Sequence, residues 1–158
     1  MPCDFEPRAR GQVGQLLAHS IAAATVTPRA EFALAAVERN TSALIGFGRL
    51  TTDPHQQHGA NIGFALRPGV WGVGYGLETV GFCSPSASTT SALHRIRGAR
   101  APRSEASAKT TAAAGMVKEG TIREHVLKAG QWRDSVLHAV LDREWAALSR
   151  AAQPSRPL

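Results

Sequence analysis

The run from Gly63 to Thr79, G-F-A-L-R-P-G-V-W-G-V-G-Y-G-L-E-T, leaves the chain the fewest ways to fold. Ile62 to Leu66 is an apolar run of strand length, and Arg67-Pro68-Gly69 stops it. Glycines then alternate through Trp71-Gly72-Val73-Gly74-Tyr75-Gly76, and Leu77-Glu78-Thr79 suits a helix start. The pattern predicts strand, tight loop, helix. Alternating glycines let a backbone approach a ligand closely and turn its N–H groups inward, while a helix start adds a positive end. A phosphate or pyrophosphate suits such a loop. Two common nucleotide motifs are excluded: counted from Gly72, the third glycine of G-x-G-x-x-G would fall on Leu77, and no G-K-[S/T] closes the loop. A glycine-rich surface turn is the other reading of the same residues.

The rest of the chain reads as support for that loop. Gly11 to Ala24 predicts an amphipathic helix with Val13, Leu16, Leu17 and Ile21 on one face, ended by Thr27-Pro28. His19 on it reads as a surface histidine, because no second ligand stands at helical spacing. Phe32 to Val37 and Ala43 to Leu50 predict a hairpin turning at Asn40-Thr41, with Gly46 and Gly48 inside its second strand. Polar Thr51 to Gly59 is the loop before the strand that leads into the glycines. Beyond it, Leu93 to Ala99 reads as a strand and Ser104 to Ala114 as a helix capped by Gly115. Met116 to Leu127 and Gln131 to Leu141 form a last hairpin across Lys128-Ala129-Gly130, and Asp142 to Ala152 a closing helix. Together these predict a mixed, largely antiparallel α/β sheet flanked by helices, one domain over residues 1–152 with a polar tail at 153–158.

Composition narrows the function. At 158 residues and 43% hydrophobic the chain can build one core, and no segment is long and apolar enough to span a membrane. Met1-Pro2-Cys3-Asp4 shows no basic-then-apolar leader, and Cys3 and Cys83 have neither metal-ligand nor disulfide-framework spacing, so no metal site and a cytoplasmic location are expected. A formal charge of +6, from 18 Lys and Arg against 12 Asp and Glu, raises the question of nucleic acid. The excess is scattered arginine, with one cluster at His94, Arg95, Arg97, Arg100 and Arg103. No zinc spacing, ribonucleoprotein motif or aromatic interleaving accompanies it, so a basic nucleic-acid-binding module is the weakest reading. Charges alternating on an exposed strand face explain the cluster equally well.

In order along the chain, W-G-V-G-Y-G at Trp71 to Gly76 with Glu78, Ser104-Glu105-Ala106-Ser107, Ala114-Gly115-Met116, Glu119-Gly120-Thr121-Ile122-Arg123-Glu124, Gly130-Gln131-Trp132-Arg133-Asp134 and Arg143-Glu144-Trp145 form a series of short motifs. From about Phe32 to Trp145 the series resembles the GNAT superfamily of N-acetyltransferases, and within it the branch resembling ribosomal-protein N-terminal acetyltransferases. Its pyrophosphate loop has the form [Q/R]-x-x-G-x-[G/A], with Trp71 standing here in the Gln/Arg place. The resemblance implies acetyl-CoA as co-substrate and a primary amine, a protein N-terminus or a small metabolite, as acceptor. It leaves a homodimer open.

It also implies site residues. The cofactor arm maps to Asn61 to Leu66, with Ile62, Gly63 and Phe64 at its centre, and the pyrophosphate to Trp71, Gly72, Val73, Gly74, Tyr75 and Gly76. Ser104 stands where the family has a cofactor-contacting asparagine, and Ser107 is the candidate catalytic hydroxyl that hydrogen-bonds the leaving thiolate, helix capping being its other explanation. The arginine cluster maps near the 3′-phosphate and adenine end of CoA. Glu78 reads as a structural carboxylate at a helix start. Glu119, Glu124, His138 or a water-mediated route all stay open as general base, while Trp132 and Trp145 read as packing aromatics.

Two departures stand out. A full domain of the family opens with a strand and one or two helices, and only one helix precedes Phe32, so the first strand and a helix are expected to be missing. Where the family has a long apolar helix, Phe82 to Ala92 reads F-C-S-P-S-A-S-T-T-S-A. Under one permissible choice of codons, a neighbouring reading frame of the same residues gives L-L-L-S-F-G-F-D-D-L-G. A compensated pair of frame slips around Gly81 and Leu93 accounts for this, and a diverged loop is the alternative. Either departure predicts an impaired enzyme or an inactive CoA-binding remnant as the alternative to a working acetyltransferase.

Overall fold

The computed structural model describes residues 10–82 and 93–151, so the polar tail and all of the unusual Phe82 to Ala92 segment but its first residue lie outside the described residues. In chain order the elements are α1 (Arg10–Thr25), β1 (Glu31–Val37), β2 (Leu44–Thr52), β3 (Gly59–Leu66), a 3₁₀ turn (Pro68–Val70), α2 (Tyr75–Phe82), β4 (Arg95–Arg100), α3 (Glu105–Ala113), β5 (Val117–Lys128), β6 (Gln131–Leu141) and α4 (Asp142–Ala151). The strands make one six-stranded sheet in the order β1-β2-β3-β4-β6-β5. Every pairing is antiparallel except β3 with β4. That exception follows from α2, because a helix between two strands makes the crossover that parallel strands need. The mixed sheet with flanking helices is the architecture expected from the sequence.

Alternation of side chains divides the sheet into two faces. Ala60 on β3, Ile96 on β4 and Val140 on β6 join Leu50, Leu93, Ala114 and Met116 in the core cluster, closed by Val80 of α2. Ile62, Phe64 and Trp145 of α4 pack against it. Burying an aliphatic side chain of this size contributes roughly 1.5–3 kcal/mol, so α2 and α4 are held by this apolar face rather than by helix propensity. The opposite face is polar on one row: Glu31, Thr51, Asn61 and Arg97 are successive register partners from β1 to β4.

Helix α1 forms where the apolar spacing places it, yet Val13, Leu16, Leu17 and Ile21 remain exposed, Ile21 at 67%. Its polar contacts with the sheet converge on Glu31: the Ser20 hydroxyl lies 3.4 Å from Glu31 Oε1, and His19 Nε2 3.9 Å from Glu31 Oε2. Arg49 Nη2 reaches the same carboxylate at 2.8 Å, so Glu31 is buried with partners on both sides. Trp145 packs as expected. Trp132 does not: it is 59% exposed on β6. The reason is length, since β4 pairs only with residues 136–141 of β6, and the part of the β5–β6 hairpin carrying Trp132 runs past the sheet.

Candidate functional site

Strands β3 and β4 share a short ladder. Their register holds Gly59, Ala60 and Asn61 against Arg95, Ile96 and Arg97 and then stops, although β3 continues to Leu66 and β4 to Arg100. Beyond Asn61 the two strands have separate partners, β2 and β6. The bonds from Asp53 N to Gly59 O and from Arg67 N to Ile45 O fix which β3 residues face β2. Antiparallel pairing alternates, so Asn61, Gly63 and Ala65 spend their backbone groups on β2, while those of Ile62, Phe64 and Leu66 point to the β4 side. Of the three residues expected at the centre of the arm site, Ile62 and Phe64 therefore present backbone to the opening. Gly63 differs from them in that its N–H and C=O are committed to Arg49 across the β2 ladder.

A clasp sits at the root of the opening. Arg97 Nε donates to Asn61 Oδ1 at 2.7 Å across the last paired rung, and its Nη2 donates to Asp53, whose side chain is only 3% exposed. The backbone N–H of His55 donates to the other Asp53 oxygen at 2.9 Å and, with Arg97, holds that carboxyl below its usual range against the opposing effect of burial. Past this point Gly98 keeps β4 bare, since a side-chain carbon there would stand 3.0 Å from Ile62 Cγ2.

At the end of β3 the chain enters the glycine loop. Gly72 and Gly74 take φ of +84° and +98°, a region that L side chains rarely adopt, while Val73 between them does not. Alternation of that kind turns successive N–H groups to one side. The N–H of Trp71 is committed to Pro68 O at 3.2 Å, which removes Trp71 from the amides expected to face a phosphate. Among the described residues, nothing accepts from the six N–H groups of Gly72, Val73, Gly74, Tyr75, Gly76 and Leu77. The first intrahelical bond here is Glu78 N to Gly74 O, at 3.1 Å. Unpaired donors and a helix start fit a pyrophosphate in both charge and shape. Glu78 is exposed in the first turn of α2.

Helix α3 lies against this loop. A side-chain carbon at Gly76 would stand 3.0 Å from Thr110 Oγ1, so glycine is what lets α2 and α3 approach. One turn earlier on α3, Ser107 Oγ accepts from Ser104 Oγ at 2.9 Å. Ser104 stands at the N-cap without making a side-chain capping bond, its hydroxyl being spent on Ser107. Two of the clustered arginines have acidic partners, Arg97 on Asp53 and Arg95 on Glu119, and Arg100 donates to the carbonyls of Ala101 and Pro102. Neither Arg100, whose buried Nε has no hydrogen-bond partner among the described residues, nor Arg103, exposed before α3, has a carboxylate partner there.

The candidate bases separate as well. Glu119 is paired with Arg95, and Glu124 lies on the overhanging hairpin, where its N–H meets Asp134. His138 is buried opposite Gly98, and its Nδ1 has no partner among the described residues. Burial, then the charges of Arg100 and Lys118, push its pKa below the usual imidazole value, so it is neutral near pH 7. The clasp, the Glu31–Arg49 pair and a bond from Tyr75 to Glu38 are absent from the motifs of the sequence, and no local signal marks them.

Residues 4–117 match the family model described as "Acetyltransferase (GNAT) domain". The chain is 30% identical over 88 residues to the [Ribosomal protein uS5]-alanine N-acetyltransferase of Escherichia coli (strain K12), a match covering 56% of this chain and 45% of that enzyme. It thus matches less than half the length of that relative. Ribosomal-protein-S5-alanine acetyltransferase from Vibrio fischeri superposes with a TM-score of 0.72 at 25% identity, over 89% of this chain and 79% of that one. Two further structures share the fold: Mycobacterium smegmatis RimJ in complex with CoA-disulfide, at TM-score 0.74 and 19% identity over 96% and 75% of the chains, and spermidine N-acetyltransferase SpeG from Vibrio cholerae, at 0.71 and 18% over 89% and 80%.

Proposed function

Because the chain belongs to the GNAT acetyltransferase family, we propose that it transfers the acetyl group of acetyl-CoA to a primary amine in the cytoplasm. The observation that carries this reading is the unpaired N–H row of residues 72–77 beside the open edge of β3. The row would hold the pyrophosphate, and the backbone of Ile62 and Phe64 would hold the pantetheine arm in the gap between β3 and β4. Ser104, at the N-cap of α3, would contribute its hydroxyl to the cofactor.

Acetyl transfer needs an amine nitrogen that attacks the thioester carbonyl, loss of one amine proton, and a proton or hydrogen bond for the departing thiolate. With Ser104 donating to Ser107, the Ser107 hydroxyl keeps its own proton to offer, which supports it as the thiolate's partner. Neutral, buried His138 has an accepting nitrogen and lies two strands from β3, so water must relay a proton if it serves as base. The names of the relatives support two acceptor classes, an N-terminal alanine of a ribosomal protein and a polyamine.

Calorimetry with acetyl-CoA, followed by thiol release over an alanine-terminated peptide and spermidine, tests the reading. Binding with turnover on either amine supports it. Binding without turnover on any amine reduces the chain to a CoA-binding remnant, and no binding removes the reading.

A further inference from the structure

The glycine loop needs an anchor. Gly69, Gly72 and Gly74 make the backbone from Arg67 to Tyr75 costly to order, and a loop that must be ordered on binding loses affinity to that cost. Two aromatic side chains bracket the stretch. Trp71 Nε1 donates to Leu66 O at 2.8 Å and ties the loop back to β3. Tyr75 Oη donates to Glu38 Oε1 at 2.9 Å and ties its far end to the turn between β1 and β2. We propose that Glu38 is a positioning residue for the cofactor pyrophosphate, acting through Tyr75 to hold the N–H groups of residues 72–77 in place before CoA arrives.

The geometry around Glu38 is built for this. Its backbone closes the β1–β2 turn in both directions, Glu38 N to Ala43 O and Ser42 N to Glu38 O, each at 2.9 Å. The second carboxylate oxygen accepts from the Thr41 hydroxyl, so the carboxylate is aimed by its own turn rather than by solvent. Thr41 and then Tyr75 lower its pKa, with Arg67 adding a smaller attraction, while the bond to Glu38 raises that of Tyr75. The phenol thus stays a donor and the carboxylate a charged acceptor throughout the neutral range. A carboxylate near a phosphate site is otherwise unfavourable, and Arg67 on the same side offsets it. Positions 38 and 75 are 37 residues apart, so the bond reports tertiary placement and not local chain bias.

This inference rests on the proposed CoA site, and the experiment separates the two. Tyr75→Phe, Glu38→Ala, Glu38→Gln and the double variant Y75F/E38A are titrated with CoA by calorimetry. The same proteins are titrated with pantetheine, which has the arm and no phosphate, by ligand-observed NMR. Losing a hydrogen bond to a charged group should raise the CoA Kd about tenfold in Tyr75→Phe and Glu38→Ala, and less in Glu38→Gln, which still accepts. Pantetheine affinity should not move, and the double variant should be no weaker than either single one, because both remove the same bond. Unchanged CoA affinity, additive losses, or an equal loss for pantetheine would overturn the positioning role. If the unaltered chain does not bind CoA, the cofactor reading itself fails and this inference falls with it.

Discussion

Gly74→Val separates what the glycine loop does for folding from what it does for binding. A side-chain carbon at Gly74 meets nothing within 4 Å, so the substitution creates no collision in the folded chain. Its cost comes from the backbone, since φ there is +98° and a β-branched residue strongly disfavours that region. Strain of this kind is worth about 1–3 kcal/mol, or roughly 2–12 °C in Tm for a chain of this length, and the loop can shed part of it by rotating the peptide. Rotation is what damages binding. It turns one or more of the N–H groups in the 72–77 row away from the ligand, and each hydrogen bond to a charged group contributes about 1.5–3 kcal/mol, so the CoA Kd should rise roughly 10- to 150-fold. The assay pairs thermal unfolding with calorimetric titration at a temperature where the variant is fully folded. A variant that binds CoA as tightly as the parent would show that the loop is an ordinary surface turn.

Other expectations follow from the same geometry. Ser107→Ala should lower kcat by about 10- to 100-fold while leaving the KM for acetyl-CoA nearly unchanged, as for a group that acts on the leaving thiolate and not on binding; steady-state thiol release decides this. Gly46→Ala should destabilise the chain by about 1–3 kcal/mol in denaturant unfolding. The new carbon would stand 2.1 Å from Ala65 O and 2.6 Å from Leu66 Cδ2, and a parent-like midpoint would contradict that packing. His138 has a folded-state pKa below its ordinary 6.5, so the unfolded chain takes up a proton first as pH falls. Stability from that source is complete above pH 6.5 and is lost as pH drops through the folded pKa. His138→Gln should therefore give a flatter Tm-against-pH profile below 6.5, and an identical slope in parent and variant would refute the assignment.

Much of the molecule is legible along the chain because its information is local. The apolar run at Ile62 to Leu66, the stop at Arg67-Pro68-Gly69 and the alternating glycines are each sufficient to specify a strand, its end and a tight loop, and the fold contains all three. The same holds for Gly115, whose φ of +74° is the left-handed cap that a glycine after a small-residue helix predicts. Local pattern also placed α1, but pattern says only that an apolar face exists and not what covers it. The face of Val13, Leu16, Leu17 and Ile21 is exposed, while Ser20 and His19 of the same helix meet Glu31 of β1. Trp132 is exposed for a related reason: hydrophobicity is a property of the residue, whereas burial depends on how far the neighbouring strand extends.

What only the tertiary structure decided is how the strands open and which groups are left unpaired there. That Gly63 faces β2 while Ile62 and Phe64 face the gap is a matter of ladder phase, set by where Asp53 and Arg67 begin and end the pairing. That Arg95 and Arg97 are held by carboxylates, instead of standing available for an anion, depends on Glu119 and Asp53, which lie 24 and 44 residues away along the chain. The link from Glu38 to Tyr75 is of the same kind. Secondary structure follows from the few residues on either side of a position, so sequence alone determines it to a large extent. A binding site is made of backbone and side-chain groups whose usual partners are elsewhere, and only the packed chain determines which groups those are.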